Sequence, residues 1–505
     1  MTTFDLPLDD GDVFAAETLL DYYKLSHRGQ YPEGTACVYS TWTPRDSRIA
    51  GCRQAVVFGL QAAWARLHGL WARTFFQRPW SQVRDRYRRL VSATLGDPDP
   101  ETAHLEALHG LGFLPVRVAA LPEGMAVPVR FPVMTIENTD PRFHWLTNYL
   151  ETALSCALWQ ASVSATRAWR LRLLLDDWAA RTGTAPGFVP YQGHDFSFRG
   201  MGGFDAAAMS GMGHLLSFVG TDTVPAILAA EHWYGASAAA PGNAAFPCLG
   251  CSVPATEHSV QCMFEGDDEA YFRRMLALHP ASVVSVVADG YDFWNVMGAV
   301  LPKLKPEIMA RNGKLVVRPD SGDPVKIVCG DPDADDPLVR GGAVQALWDA
   351  FGGATNDAGF RELDPHVGLI YGDAIHYDRA KAILEGLARQ GFASGNVVFG
   401  VGSYTYQLNT RDTLGYALKS TAAVVDGVEK AIFKSPKTDD GTKVSQRGRV
   451  RVFRDRHGAL AWEDGLDRER SERDNLLQPF FEDGKLLRFE TFAEIRERLR
   501  TQPAD

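Results

Sequence analysis

The sequence predicts an α/β protein, with a parallel sheet in the middle of the chain and shorter, proline-interrupted strands on either side. Three observations carry this. Four apolar runs each stop at a carboxylate or a glycine: residues 282–288 before Asp289, 315–317 before Arg318-Pro319-Asp320-Ser321-Gly322, 367–371 before Gly372-Asp373, and 397–401 before Gly402. Helical patterns separate these runs, and strand–helix alternation indicates parallel strands with crossover helices. The tips Asp289, Asp320, Asp373 and Gly402 lie 31, 53 and 29 residues apart, so the short gaps fit one βα unit and the long one carries an insertion. Polar residues at the carboxyl ends of parallel strands are where α/β enzymes keep their chemistry. The four tips therefore describe one rim.

In chain order, residues 14–30 and 51–73 space their apolar side chains by three and four, which predicts helices. Residues 36–42 between them read as a strand. From 114 to 137 short strands alternate with turns, and their prolines demote them to edge or interrupted strands. Residues 142–182, rich in Leu, Ala, Trp and Arg, are expected to be helical. From about 410 the chain returns to short strands, then ends in a charged helix near 491–500. The long gap holds the aspartates of residues 329–337. A calcium loop is excluded there, because Asp336 stands at the glycine position and Gly342 at the final glutamate; the segment reads as an exposed acidic loop.

At 505 residues the chain exceeds one ordinary core, so two or more domains are expected. Its 45% hydrophobic and 23% charged residues are a globular composition. A net charge of −10 gives no electrostatic reason to bind nucleic acid. The N-terminus lacks the basic-then-apolar order of a signal peptide, and no apolar stretch approaches the ~20 residues that cross a bilayer. A cytoplasmic protein without membrane or nucleic-acid partners is expected. Seven thinly spread cysteines suit a reducing compartment.

Several constellations besides Arg318-Pro319-Asp320 carry polar chemistry. In His194-Asp195-Phe196-Ser197-Phe198-Arg199, a flat heterocycle can stack on Phe196 and Arg199 suits a phosphate; the competing reading makes both phenylalanines core. The glycines after Arg199 are weak as a dinucleotide fingerprint, since no clear strand precedes them. Asp222, in Gly220-Thr221-Asp222-Thr223, either caps the next helix or accepts an amide N–H. Glu257-His258 sits in a strand-to-helix turn. Arg411, Lys419 and Lys434 would each alone be a surface charge. Cys248 and Cys251, with His258 and Cys262, also allow a structural zinc site.

Taken in order, Asp21-Tyr22-Tyr23-Lys24, Glu137-Asn138-Thr139-Asp140-Pro141, His194-Asp195-Phe196, Gly220-Thr221-Asp222-Thr223-Val224, Ser252-Val253-Pro254, Glu257-His258-Ser259, Arg318-Pro319-Asp320-Ser321-Gly322, Gly372-Asp373 and Thr410-Arg411-Asp412 resemble the nicotinamide phosphoribosyltransferase family from about residue 15 to 495. The resemblance implies a type II phosphoribosyltransferase fold: an irregular α/β barrel and a mostly β domain formed by the N- and C-terminal segments. The expected division is 1–160, an N-terminal α+β segment; 161–402, the catalytic barrel; and 403–505, which completes the β domain. The implied enzyme is a homodimer with shared active sites. With Mg²⁺, it joins nicotinamide to 5-phosphoribosyl 1-pyrophosphate, and it couples this to ATP hydrolysis through a phosphohistidine.

Residue by residue, the resemblance places nicotinamide between Phe196 of one subunit and Tyr23 of the other. It sets Asp222, Ser285 and Arg318 around the carboxamide, and Asp320, Gly372 and Asp373 along the ribose. Arg199, His258 and Arg318 hold the pyrophosphate, and His258 is the phosphorylated histidine. Gly402 and Ser403 form the 5′-phosphate loop, while Arg45, Arg411, Lys419 and Lys434 are phosphate-binding cations, several reaching across the dimer. No resident metal ligand is assigned, as Mg²⁺ is carried by the pyrophosphate. Two departures stand out: Ser403-Tyr404 replaces glycines of the phosphate loop, and Phe198 stands where a tyrosine is usual.

These residue types suit transfer at an anomeric carbon, where positive charge grows on the ribose and negative charge on the departing pyrophosphate. Glu257 or Asp289 is expected to orient His258. Asp222 favours an amide over a second anion, which sets nicotinamide above nicotinate as substrate. The competing functions are nicotinate phosphoribosyltransferase and a zinc-stabilised, non-catalytic binding protein.

Overall fold

The computed structural model describes residues 13–236, 248–372, 374–438 and 444–503. The chain forms two compact units, residues 1–163 with 410–502, and residues 164–409 with 503–505. Residues 403–409 thus go with the central unit. Two side chains show why: Thr405 Oγ1 donates to the Ile375 carbonyl at 2.7 Å, and the Tyr406 hydroxyl lies 2.6 Å from His214 Nδ1.

The terminal unit is built on an antiparallel sheet of seven strands in the order Val428–Ala431, Tyr416–Val425, Thr35–Pro44, Met134–Asn138, Val116–Ala120, Gln478–Glu482 and Lys485–Leu486. Trp42 stacks on Tyr416 from the neighbouring strand at 5.0 Å between centroids, and Trp64 stacks on Phe481 at the same separation. All four rings are 3% exposed or less.

Two sequence expectations fail here for visible reasons. Val116–Ala120 and Met134–Asn138 are interior strands, not edges, because Pro115, Pro122 and Pro132 fall just outside them. The helix expected from residue 51 begins only at Leu60, after a strand Gln54–Val56 that pairs with Ala126–Pro128. Gly59 takes a left-handed φ of 89°, and the distant Glu123 carboxylate accepts the backbone N–H groups of Gly59 and Gln61 at 2.8 and 2.6 Å. A cap supplied from 60-odd residues away leaves no local signal. Residues 14–30 form 3₁₀ helices, Ala16–Thr18 and Tyr22–Gln30, instead of one α-helix.

The central unit contains a parallel sheet of six strands. In chain order these are β1 (Gly193–Asp195), β2 (Gly220–Thr221), β3 (Val284–Val287), β4 (Leu315–Arg318), β5 (Val367–Tyr371) and β6 (Val397–Val401). In space they run β2-β1-β6-β5-β4-β3. The two short strands β1 and β2 are absent from the sequence expectation, being too brief for an apolar period. The sheet's two edges are joined by irregular backbone. Cys251 N–H donates to the Val219 carbonyl beside β2 at 2.7 Å, and Ser285 N–H of β3 donates to the Pro254 carbonyl at 2.9 Å. Residues 251–256 therefore complete the ring and leave no bare edge. Crossover helices include α1 (Phe204–Leu215), α2 (Val224–Tyr234), the short α3 (His258–Cys262) and α4 (Tyr377–Arg389). In the long gap, the acidic segment is a set of turns: Asp336 caps the helix Pro337–Gly341, and Asp331 pairs with Lys326 at 2.9 Å. No helix among the described residues is long and apolar enough to cross a membrane.

The terminal unit also holds a buried charge network. Glu137, 7% exposed, accepts from Arg449 and Arg468, both at 2.8 Å. Burial alone would raise its pKa, but the two guanidiniums hold it below the usual carboxylate range. Its contribution is thus complete above the unfolded-state pKa and is lost as pH falls through the lower folded value. Glu137→Gln is expected to destabilise the protein by about 2 kcal/mol at pH 7, since it takes one of two carboxylates from the buried Arg449 and leaves it Glu429. That deficit should shrink only below about pH 4, as the native protein's own Glu137 becomes protonated. Urea unfolding in both pH ranges checks the pair of outcomes.

Candidate active site

The rim at the carboxyl ends of the six strands gathers most of the residues singled out in the central unit. Its base is Asp289, just past β3, whose side chain is 4% exposed. Oδ2 accepts the Asp320 backbone N–H at 2.8 Å and the Ser321 hydroxyl at 2.6 Å, while Oδ1 lies 3.0 Å from His258 Nε2. Burial would raise the Asp289 pKa, but these three donors outweigh it and keep the carboxyl ionised. An ionised Oδ1 can only accept, so Nε2 carries the proton and the other ring nitrogen is the basic one. Glu257, the alternative partner for the histidine, instead accepts from Ser259. Asp289 thus contacts both His258 and the β4 tip.

Arg318 is the last residue of β4 and 8% exposed; Nη2 donates to the Thr256 carbonyl, and Nε lies 3.8 Å from Asp320 Oδ2 without a hydrogen bond to it. Arg318 Nε and the Ser285 hydroxyl are buried polar atoms without a hydrogen-bond partner among the described residues. Each such group costs about 1–3 kcal/mol, a cost that a polar ligand in the cleft would relieve. Gly372 follows β5, and a Cβ there would come within 1.9 Å of Asp320 Oδ1. Gly400 in β6 is equally constrained: a Cβ would meet the Phe196 ring at 2.7 Å and the Gly372 Cα at 2.8 Å. Two bare α-carbons thus let Asp320 and Phe196 approach the same strands. Asp373 lies outside the described residues.

Phe196 follows β1 and, with Phe198, Arg199, Met201, Phe204 and Asp222, lines a cleft of about 460 Å³. Asp222 is not a helix cap, as the cap position of α2 is Thr223. Its Oδ1 instead accepts from His194 Nε2 at 2.9 Å and from the Ser252 hydroxyl. Burial would raise its pKa, but the hydrogen bonds from His194 and Ser252 and the Arg318 charge bring it below the usual range. The result is an ionised carboxylate beside an aromatic face. Gly402 and Ser403 sit past β6, Ser403 opening a one-turn helix Ser403–Tyr406. A Cβ on Gly200 would come 2.2 Å from Ser403 Oγ, so the Arg199 loop and the Ser403 loop adjoin. Tyr404 turns towards α4, its ring 5.5 Å from that of His376 and 5.9 Å from the Arg379 guanidinium. Phe198 packs edge-on against Phe204.

Residues 191–483 match the nicotinate phosphoribosyltransferase (NAPRTase) family. The chain belongs to that family. It is 47% identical over 501 residues to nicotinamide phosphoribosyltransferase of Acinetobacter baylyi, covering 96% of each chain. It is 35% identical over 488 residues to the protein of that name from Xanthomonas campestris pv. campestris, covering 94% of this chain and 96% of the other. Among solved structures it is similar to nicotinate-nucleotide pyrophosphorylase from Pyrococcus furiosus, with a TM-score of 0.56, 17% identity, and 99% and 97% of the two chains covered. Human nicotinic acid phosphoribosyltransferase superposes with a TM-score of 0.50 at 18% identity, over 98% of this chain and 93% of that one. At such identities the likeness is one of fold, and that fold is the type II phosphoribosyltransferase fold.

The remaining residues named from the phosphoribosyltransferase resemblance lie in the terminal unit. Tyr23 is 59% exposed and packs edge-on against His27. Arg45 Nε donates to the Gly415 carbonyl at 2.9 Å. Lys419 pairs with Glu151 at 3.4 Å, and Glu151 also pairs with the buried Lys24. Burial, with help from Arg45 and Lys24, lowers the Lys419 pKa against the pull of Glu151. Arg411 and Lys434 are exposed. Among the described residues no group of three or more His, Cys, Asp or Glu side chains could hold a metal ion, so the zinc set of Cys248, Cys251, His258 and Cys262 is not assembled.

Sequence reasoning missed His194 and Ser252 as site residues, although both lie inside motifs it had singled out. The available signal was strand parity, since positions 194 and 196 share one face of an extended segment. Gly372→Ala tests the close approach. Displacing Asp320 should lower kcat/KM for phosphoribosyl transfer by about a hundredfold while the far-ultraviolet circular dichroism spectrum is retained.

Proposed function

We propose that this phosphoribosyltransferase transfers the phosphoribosyl group of 5-phosphoribosyl 1-pyrophosphate to the ring nitrogen of nicotinamide, giving nicotinamide mononucleotide and pyrophosphate in NAD salvage. The observation that carries this reading is Asp222. It stands ionised at the aromatic cleft, with Oδ1 bonded to His194 and Ser252 and Oδ2 without a bond among the described residues. A carboxamide supplies the N–H that Oδ2 can accept. Nicotinate would bring a second anion instead, and two charges about 4 Å apart repel by about 4 kcal/mol at an effective dielectric near 20. The name shared by the curated relatives supports the same substrate.

In this reading Phe196 stacks on the pyridine, while Ser285 and Arg318 face its carboxamide. Asp320 and Gly372 lie along the ribose, and Asp373 is assigned there by the resemblance. Mg²⁺ enters with the pyrophosphate as part of the substrate. As the glycosidic bond breaks, Arg199 and Arg318 take up the charge of the leaving group, and the Asp320 carboxylate stabilises the oxocarbenium character of the ribose. The pyridine nitrogen then bonds to the anomeric carbon. Gly402 and Ser403 hold the 5′-phosphate. Arg45, Arg411, Lys419 and Lys434 bind phosphates of the same substrates, and several of them, with Tyr23, reach in from a second copy of the chain in a homodimer with shared sites. ATP is a co-substrate: the basic nitrogen of His258 attacks the γ-phosphorus and ADP leaves. Asp289 neutralises the imidazolium that forms.

The reading is tested by comparing nicotinamide with nicotinate in assays containing phosphoribosyl pyrophosphate and Mg²⁺, with and without ATP. Preference for nicotinate would overturn it. Asp222→Asn is expected to narrow the preference for nicotinamide, up to the roughly thousandfold that 4 kcal/mol represents; an unchanged ratio of kcat/KM values would remove Asp222 from this role. His258→Ala should keep basal synthesis of the mononucleotide but lose both ATPase activity and the stimulation by ATP. Undiminished ATPase activity in that variant would refute the phosphohistidine.

A further inference from the structure

We propose that His194 sets the charge Asp222 presents to the incoming pyridine, so that preference for the uncharged substrate over its carboxylate analogue falls as the solution becomes more acidic. The inference rests on the reading of Asp222 given above and adds to it a second, titratable determinant of specificity.

The geometry makes the two side chains one unit. His194 Nε2 lies 2.9 Å from Asp222 Oδ1, and the rings of His194 and Phe196 are 4.6 Å apart. The imidazole therefore touches both the carboxylate that reads the substituent and the aromatic face beneath the pyridine. An ionised Asp222 can only accept, so Nε2 carries a proton and Nδ1 is the atom where a second proton adds or leaves. Nδ1 faces the backbone of Gly220, where a Cβ would lie 2.9 Å away. Glycine at 220 thus keeps a side chain off that nitrogen.

The titratable and charged groups around the pair come from four elements. Asp195 adjoins His194 on β1, Asp222 follows β2, His214 lies on α1 and Arg318 ends β4. His214 stays neutral, since burial lowers its pKa and its ring is fixed by donation from Nε2 to the Gly220 carbonyl at 2.9 Å and acceptance at Nδ1 from Tyr406. Asp222 is thus the carboxylate bonded to His194, while Asp195, the next residue along the strand, points to its other face and accepts the Ser197 N–H.

When His194 is neutral, it leaves the Asp222 charge to repel a carboxylate-bearing pyridine, with Arg318 offsetting part of that charge. When His194 is an imidazolium, the pair sums to zero and most of that repulsion is cancelled. An amide can donate its N–H to Asp222 Oδ2 in either state. The charge of histidine side chains changes between about pH 5 and 8, and from about pH 6 upward both pyridines are unprotonated on the ring, so nicotinamide is neutral and nicotinate an anion throughout the test.

The test is the ratio of kcat/KM for nicotinamide to that for nicotinate, measured on the full-length enzyme from about pH 6 to pH 8. Factors common to both substrates cancel in the ratio. In the native enzyme it should fall by about tenfold or more from pH 8 to pH 6. In His194→Gln, whose amide nitrogen can still donate to Asp222 but cannot become charged, it should stay high and flat. A flat ratio in the native enzyme overturns the inference and leaves the proposed function standing. An equal fall in His194→Gln also overturns it, by placing the titrating group elsewhere. A purely structural role for His194 would lower both activities in the variant while the native ratio stayed flat. Absence of turnover with both pyridines in the native enzyme would instead overturn the proposed function, and this inference with it.

Discussion

The carboxylate of Asp289 ties two parts of the rim to the end of β3: the α3 turn through His258, and the β4 tip through the Asp320 backbone and the Ser321 hydroxyl. A buried negative charge is tolerable because three donors solvate it. From this anchor the positions of the other groups follow by contact. The fixed β4 tip sets the Asp320 side chain over Gly372, whose bare α-carbon lies against Gly400, whose own bare α-carbon admits the Phe196 ring. Phe196 meets His194, and His194 meets Asp222. One continuous line of close packing thus joins the residue proposed for phosphoryl capture to the one proposed to read the pyridine.

The site also depends on where the sheet stops being regular. Six parallel strands alone would leave β2 and β3 with bare edges, and residues 251–256 satisfy both with backbone that is not a strand. Ser252 and Thr256, one donating to Asp222 and the other accepting from Arg318, come from that segment. Irregular backbone can aim groups inward where a strand's strict alternation would send every second one away.

Much of this was legible in the sequence, and the exceptions share a cause. The strands ending at Asp289, Arg318, Gly372 and Gly402 were visible because strands buried on both faces are continuous apolar runs. The strands ending at Asp195 and Thr221 were not, since two or three residues make no period. Asp222 read equally well as a cap or an amide acceptor, because its decisive partners His194 and Ser252 lie 28 and 30 residues away. The same non-locality hid the Glu123 cap of the Leu60–Trp71 helix. By contrast the ordered motifs gave the family directly, since they record which residues meet without requiring the path between them.

The strand Thr35–Pro44 takes Tyr416–Val425 as its neighbour, with Ser40 and Ser420 hydrogen-bonded across 380 residues of chain. On a ribosome adding about 5–20 residues per second, that neighbour arrives roughly 20–80 s after the first strand has emerged. Throughout that interval one side of Thr35–Pro44 lacks its mate, and the Trp42 ring lacks the Tyr416 ring that later covers it. The terminal unit is thus begun first and finished last, while the central unit has all its strands in hand before residue 410 is made. For the cell this is a problem of timing: the nascent chain carries a half-built sheet through most of its own synthesis, a natural client for holding chaperones.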